Sequence, residues 1–250
     1  MPTLKIINLK SLKMKGWFTM ERYKLFCCDC LELMKKIKDE SIDLIVTDPP
    51  YKTTPRGGSG NSGGMCKKKE FNSGNVFAHN EIKPQEYIPE LYRILKEGTH
   101  CYIMTNHVNL YEILTVAQEC GFHFIKSLIW NKGNKIMGQA YMSQFEYILF
   151  FRKGKFKKIN KCGTADILEV PNKKQKGGDG KNLHDTEKPV ELMKILIENS
   201  SQENDVVFEP FMGIGATVVA SLELNRRCIG IELDEKYFDI AKKRIEESLE

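Results

Sequence analysis

The chain has 250 residues, 41% of them hydrophobic and 28% charged, with a formal net charge of +5. That size and balance suit one large globular domain, or one domain with an insertion, and argue against a disordered or fibrous chain. No apolar run approaches the roughly 20 residues a bilayer needs, so no membrane partner is expected.

In chain order, residues 1–20 carry Lys5, Lys10, Lys13 and Lys15 with no continuous apolar stretch. They read as an extension rather than a signal peptide. Tyr23 to Cys28 is strand-like, and Leu31, Leu33, Met34 and Ile37 have helical spacing. Ile42 to Thr47 reads as a buried strand, and Asp48-Pro49-Pro50-Tyr51 follows it directly. Two prolines end strand pairing and fix a rigid turn. A carboxylate, a proline carbonyl and an aromatic ring at a strand end can grip a flat ring that bears an amino group. The two oxygens accept its N–H bonds and the ring stacks on its face. Residues 52–80 form a loop with six glycines and a basic cluster of Lys52, Arg56, Lys67, Lys68 and Lys69. A loop this long in a compact domain is functional or mobile, and this one is a candidate clamp over a bound ring.

Leu91, Ile94 and Leu95 mark a helix expected to stop at Gly98. Cys101–Thr105 reads as a strand, Val108–Cys120 as a helix, and Phe122–Trp130 with Phe145–Phe151 as a strand pair at a sheet edge. Between Arg152 and Lys181 stand ten Lys or Arg against three acids, Lys155, Lys157, Lys158, Lys173 and Lys174 among them. Two concentrated basic segments point to a polyanion partner. Pro189 opens a helix through Glu198. Val206–Phe211 is a strand, Ala216–Leu224 a helix and Cys228–Leu233 a strand, before a final helix capped by Asp234 with a stripe of Tyr237, Ile240, Ala241 and Ile245. The alternation of strands and helices predicts an α/β fold with a mostly parallel sheet.

Cys27 and Cys30 form one Cys-x-x-Cys with no second pair, so the eight cysteines read as reduced thiols and no metal site is expected. Phe211-Met212-Gly213-Ile214-Gly215 is a strand-to-helix turn where glycines let a ligand approach the backbone. Glu232 lies 19 residues beyond Gly213, the place where nucleotide folds put an acid for ribose hydroxyls. A dinucleotide fingerprint needs a third glycine where Val218 stands, so the turn suits an adenosine without phosphates better than a pyrophosphate.

Asp48-Pro49-Pro50-Tyr51, the Phe211–Gly215 turn, His184-Asp185-Thr186-Glu187-Lys188-Pro189-Val190-Glu191-Leu192 and their order together resemble the β class of DNA amino-methyltransferases. The resemblance spans about residues 21–248. It implies a circularly permuted Rossmann-like methyltransferase fold: extension 1–20, catalytic half 21–151, basic target-recognition insert 152–183 and cofactor half 184–250. It also implies S-adenosylmethionine as cofactor, double-stranded DNA as substrate and a cytoplasmic location. A companion restriction endonuclease and a homodimer are left open.

By the same resemblance Asp48 and the carbonyl of Pro49, stiffened by Pro50, hold the target amino group while Tyr51 stacks on the base. Asp29 meets the cofactor's adenine, Glu232 its ribose, and Thr186, Lys188 and Pro189 its methionine end. Glu209 stands where the family usually has Asp, and Asp185 where Pro is common, so the contact near the cofactor's amino group is expected to differ. Asp at position 48 implies adenine N6 as target, since relatives acting on cytosine N4 more often carry Ser there. Methylation of a protein glutamine or RNA, a non-catalytic DNA-binding relative and a nicotinamide dehydrogenase are the rival readings.

Overall fold

The computed structural model describes residues 7, 16–50, 82–136, 141–172 and 187–249. Its strands are β1 (Gly16–Thr19), β2 (Tyr23–Cys27), β3 (Ile42–Thr47), β4 (Leu95–Thr105), β5 (His123–Ile136), β6 (Ser143–Arg152), β7 (Ile167–Glu169), β8 (Val206–Glu209) and β9 (Arg227–Glu232). The helices are α1 (Cys30–Met34), α2 (Pro84–Ile94), α3 (Leu110–Glu119), α4 (Val190–Ser200), α5 (Ala216–Glu223) and α6 (Glu235–Glu247). The strands make one sheet in the order β1-β2-β9-β8-β3-β4-β6-β5-β7. Its centre, from β2 to β4, is parallel, while β1 and β6 pair antiparallel at either side.

The central strands read as unbroken apolar runs because both their faces are covered. One face packs Leu33, Met34, Ile88, Leu91, Ile113 and Val116 from α1, α2 and α3. The other packs Leu192, Leu196, Val218, Ala220, Ala241 and Ile245 from α4, α5 and α6. This is a doubly wound α/β fold in which the strand before Asp48 precedes, in sequence, the strands around the glycine turn. The Rossmann-like order is therefore permuted as the sequence implies.

Several elements differ from the sequence reading. The helix expected to run to Gly98 ends at Ile94, and β4 begins at once with Leu95. Leu95 is fully buried, so its apolar side chain suits either element and periodicity does not separate them. Gly98 lies inside β4 at φ +75°, where the pairing with β3 jumps between Ile42–Leu95 and Leu44–His100. The β5–β6 hairpin runs further toward its turn than expected, because its ladder continues through polar and charged residues. Gly16–Thr19, inside the expected N-terminal extension, forms an edge strand on β2, and Ile167–Glu169, inside the basic insert, pairs with β5. The buried stripe of α6 is Phe238, Ala241, Arg244 and Ile245; Tyr237 and Ile240 lie beside it, half-buried.

Candidate active site

The chain reverses its winding between β8 and β3. From β8 it continues through α5 on one face to β9, and from β3 through α2 on the other face to β4. A crevice opens at the carboxyl ends of two such strands, and ligands of open α/β sheets bind there. Both sequence motifs fall on this rim. Asp48 leaves β3, the glycine turn leaves β8, Glu232 ends β9 and Asp29 follows β2, side by side in sheet order.

Glu209 ties the two motifs together. Its Oε1 accepts hydrogen bonds from Thr47 Oγ1 at 2.7 Å and Phe211 N at 3.1 Å, and its Oε2 accepts from Thr217 Oγ1 at 3.0 Å. Thr47 immediately precedes Asp48 and Thr217 sits in the first turn of α5, so one carboxyl group spans the catalytic corner, the turn and the helix behind it. Burial pushes the Glu209 pKa up to about 8, with the three donors pulling the other way. The side chain expected near the cofactor's amino group is thus engaged with the chain itself.

The glycine turn is held from below. Glu232 Oε2 accepts from Gly213 N and Oε1 from Asp234 N, each at 2.9 Å. Burial pushes its pKa up to about 6, and these backbone donors oppose the shift. Gly215 is the N-cap of α5 at φ +83°, and a Cβ there would lie 3.0 Å from Ile245. Arg244 on α6 donates to Ile214 O at 3.2 Å and pairs with Glu187 at 2.9 Å, with both side chains buried. Asp29 is exposed, accepts from Leu31 N at 2.7 Å and caps α1. Phe211 packs edge-on against Tyr87, with ring centroids 5.5 Å apart. Pro189 is the N-cap of α4.

Asp48 lies in a chain of alternating charges. Its Oδ2 accepts from Lys188 Nζ. Lys188 Nζ also lies 3.5 Å from Glu146 Oε2, and Lys132 Nζ is 2.7 Å from Glu146 Oε1. Burial raises the Asp48 pKa while Lys188 opposes it. Burial disfavours the Lys188 ammonium, but Asp48 and Glu146 outweigh that and raise its pKa. Burial likewise works against the Glu146 carboxylate, yet Lys188 and Lys132 hold its pKa below the usual value. Among the described residues, Asp48 Oδ1 is buried with no hydrogen-bond partner. A carboxylate oxygen out of water and without a donor is costly unless a donor arrives, so Oδ1 is a ready acceptor.

Tyr51, Lys52, Arg56, Lys67, Lys68, Lys69, Lys173, Lys174 and Thr186 lie outside the described residues. Pro50 and Glu187, described residues that flank the two segments holding them, 51–81 and 173–186, lie close in sequence to Asp48 and Lys188. Lys155, Lys157 and Lys158 are exposed but belong elsewhere. They follow Arg152, which pairs with His100 of β4, the residue level with Leu44 near the start of β3, and His100 Nε2 lies 3.0 Å from Lys157 O. That is the opposite end of the sheet from Asp48, because β6 runs antiparallel to β4 and carries the chain away from the crevice. The structure does not bring these three lysines to the site.

The sequence reading misses Glu146, Lys132, Thr47, Thr217, Glu187 and Arg244. Glu146 carries a usable signal: it shares the period-2 row of buried Ile148 and Phe150, where a charge needs a partner. The others have no motif. Among the described residues no group of His, Cys, Asp and Glu is arranged to hold a metal, and Cys27, Cys28, Cys30, Cys101, Cys120, Cys162 and Cys228 form no disulfide with one another.

A permuted α/β sheet with an acidic proline corner beside a glycine turn defines a methyltransferase-like site. The family described as DNA methylase matches residues 42–243, and the chain belongs to that family. It is 32% identical over 241 residues to the Type II methyltransferase M.HinfI of Haemophilus influenzae, covering 88% of this chain and 67% of that protein. It is 29% identical over 259 residues to the Type II methyltransferase M2.DpnII of Streptococcus pneumoniae, covering 94% of each. The crystal structure of the M1.HpyAVI–SAM complex superposes with a TM-score of 0.66 at 25% identity, covering 89% of this chain and 99% of that one.

Proposed function

We propose that the protein transfers a methyl group from S-adenosylmethionine to the N6 amino group of an adenine flipped out of double-stranded DNA, at a specific site. The observation that carries this reading is Asp48 Oδ1, a buried acceptor without a donor, at the crevice between β3 and the glycine turn. The amino group of a target base is the donor that would complete it.

The residues present fit the cofactor. The turn at Gly213–Gly215 has positive φ at both glycines, which keeps side chains out of the crevice. Glu232 is fixed by two backbone N–H groups and keeps lone pairs for ribose hydroxyls. Asp29 on the neighbouring strand end would meet the adenine, and Pro189 and Phe211 would line the pocket beside it. When bound, S-adenosylmethionine supplies an electrophilic methyl group on a sulfonium.

An adenine amino nitrogen is a weak nucleophile because its lone pair is delocalised into the ring. Asp48 Oδ1 and the Pro49 carbonyl, as two acceptors for its two N–H bonds, favour a pyramidal nitrogen whose lone pair points away from the ring. Positioning and electrostatics then lower the barrier without a covalent enzyme intermediate. Asp48 Oδ1 is also the nearest base for the proton the nitrogen sheds. Flipping the base costs a few kcal/mol. Stacking on Tyr51 and phosphate contacts from Lys52, Arg56, Lys67–Lys69, Lys173 and Lys174 would offset that cost.

The names of M.HinfI and M2.DpnII as Type II methyltransferases support a cognate restriction endonuclease as companion. Among the described residues no helix is long and apolar enough to cross a membrane, in keeping with a cytoplasmic enzyme.

The test is transfer of labelled methyl from S-adenosylmethionine to plasmid DNA, with nucleoside mass spectrometry. The expected product is N6-methyladenine, and Asp48→Asn should abolish it while leaving cofactor affinity nearly intact. Formation of N4-methylcytosine would replace adenine with cytosine as the target. A fully active Asp48→Asn variant would sink the assignment of the corner.

A further inference from the structure

We propose that Lys188 is a positioning residue for methyl transfer: backed by Glu146 and Lys132, it holds the Asp48 carboxylate as an anion and leaves Oδ1, not Oδ2, to face the target amino group. The inference rests on the catalytic reading of Asp48 above and adds to it a role for three residues from separate elements.

The geometry is specific. Lys188 stands two residues before α4, Glu146 on β6 and Lys132 on β5. Their charges alternate with that of Asp48, each neighbour in ion-pair contact with the next. Lys188 Nζ occupies Oδ2, so of the two Asp48 oxygens Oδ1 alone is left without a donor among the described residues. A lysine whose role was the methionine end of the cofactor would aim its ammonium into the crevice near the glycine turn. Here the ammonium pairs with two mostly covered carboxylates, whose side chains are 20% and 19% exposed. Lys188 is 7% exposed, so the contact is not a loose surface pair.

The groups facing Asp48 from the packed elements are Lys188, Glu146, Lys132, Glu209 on β8 and Tyr87 on α2. Removing the Lys188 charge leaves Asp48 and Glu146 buried with the intervening cation gone. Asp48 would then take up a proton at higher pH, and a protonated carboxyl group is a weaker acceptor that cannot take the proton the amino group sheds. Removing the Glu146 charge does the reverse, because Asp48 keeps its cation and loses a like-charged neighbour.

The experiment is single-turnover methylation of plasmid DNA at saturating S-adenosylmethionine across pH 5.5–9, with cofactor affinity measured separately by calorimetry. Lys188→Met should lower the rate by about 100-fold at pH 7 and move the acid limb of the profile up by about one unit or more. Its cofactor affinity should stay within about threefold of the original. Lys188→Arg should restore at least about a tenth of the rate, as a cation of similar reach. Glu146→Gln, an isostere that should fold even if Lys188→Met does not, should move the acid limb down. Acid limbs that stay in place in both variants would overturn the proposal. So would a Lys188→Met variant whose whole deficit lies in cofactor affinity. An inactive Asp48→Asn beside a normal Lys188→Met refutes this inference alone, whereas an active Asp48→Asn refutes the catalytic reading beneath it.

Discussion

Replacing Glu209 by Gln should stabilise the protein, and by an amount that grows with pH. In the folded chain burial pushes the Glu209 pKa up to about 8 from an ordinary 4.5. Between those values the folded state holds a proton that the unfolded state has released, so stability falls as pH rises through the window. At about 1.4 kcal/mol per unit, the full span of the shift corresponds to about 5 kcal/mol, of which about 3 kcal/mol has been lost by pH 7. A glutamine at this position would be neutral at every pH. Its carbonyl can accept from Thr47 and Phe211 N, and its amide can donate to the Thr217 hydroxyl, which both donates and accepts. The two proteins should therefore melt together near pH 5, and at pH 7 the variant should melt higher by about 5–10 °C. Scanning calorimetry of both proteins from pH 5 to 8, without cofactor and at constant ionic strength, reads the effect. Glu209→Ala is the control: it strips three donors of their acceptor and should destabilise at every pH by about 2–4 kcal/mol. Parallel stability curves for the wild type and Glu209→Gln would refute the claim that this acid is buried neutral.

Two further substitutions test the support of the glycine turn. Arg244→Met should leave Glu187 buried without its cation and free Ile214 O, costing about 3–5 kcal/mol by denaturant unfolding; a loss under about 1 kcal/mol would mean the pair is solvated. Gly215→Ala forces a side chain into φ +83° and to 3.0 Å from Ile245, so it should cost about 1–3 kcal/mol and weaken cofactor binding measured by calorimetry. Unchanged affinity and stability in that variant would show that the turn tolerates a Cβ.

The parts of this protein that can be read from its sequence are those in which a local rule suffices. Ile42–Thr47 is legible as a strand because a doubly covered strand must be apolar throughout, and the prolines at 49 and 50 fix its end. The turn at Gly213 and Gly215 is legible because positive φ demands glycine, and Glu232 because it ends the next strand. Leu95 is not, since a fully buried leucine fits the end of a helix as well as the start of a strand. Neither is Gly16–Thr19, four residues with one buried-face aromatic, Phe18, too short for a period to emerge. The basic segment from Arg152 looks continuous in sequence, yet β6 delivers Lys155, Lys157 and Lys158 to one end of the sheet before β7 carries the chain back toward the other. Charge density along a chain says nothing about which pole of a sheet each charge reaches.

What the sequence hides most completely is the pairing of acids at the crevice. Asp48 meets Lys188 across 140 residues, and Glu209 meets Thr47 across 162. The two carboxyl groups sit at adjacent strand ends, Glu209 buried and Asp48 mostly covered, and a poorly hydrated carboxyl group has two ways to persist. Asp48 has a cation against one oxygen, and on the proposal above it persists as an anion that can accept from an amino group. Glu209 has hydroxyl and amide donors but no cation, so it keeps its proton and becomes a neutral brace. Burial raises both pKa values, and on that proposal the cation at Asp48 is what separates the roles of the two neighbouring acids. A neutral Glu209 also removes a second negative charge from beside Asp48, so the brace and the acceptor depend on each other. One carboxyl group thus spans the strand before Asp48 and the helix behind the glycine turn, with Oε1 on Thr47 and Oε2 on Thr217.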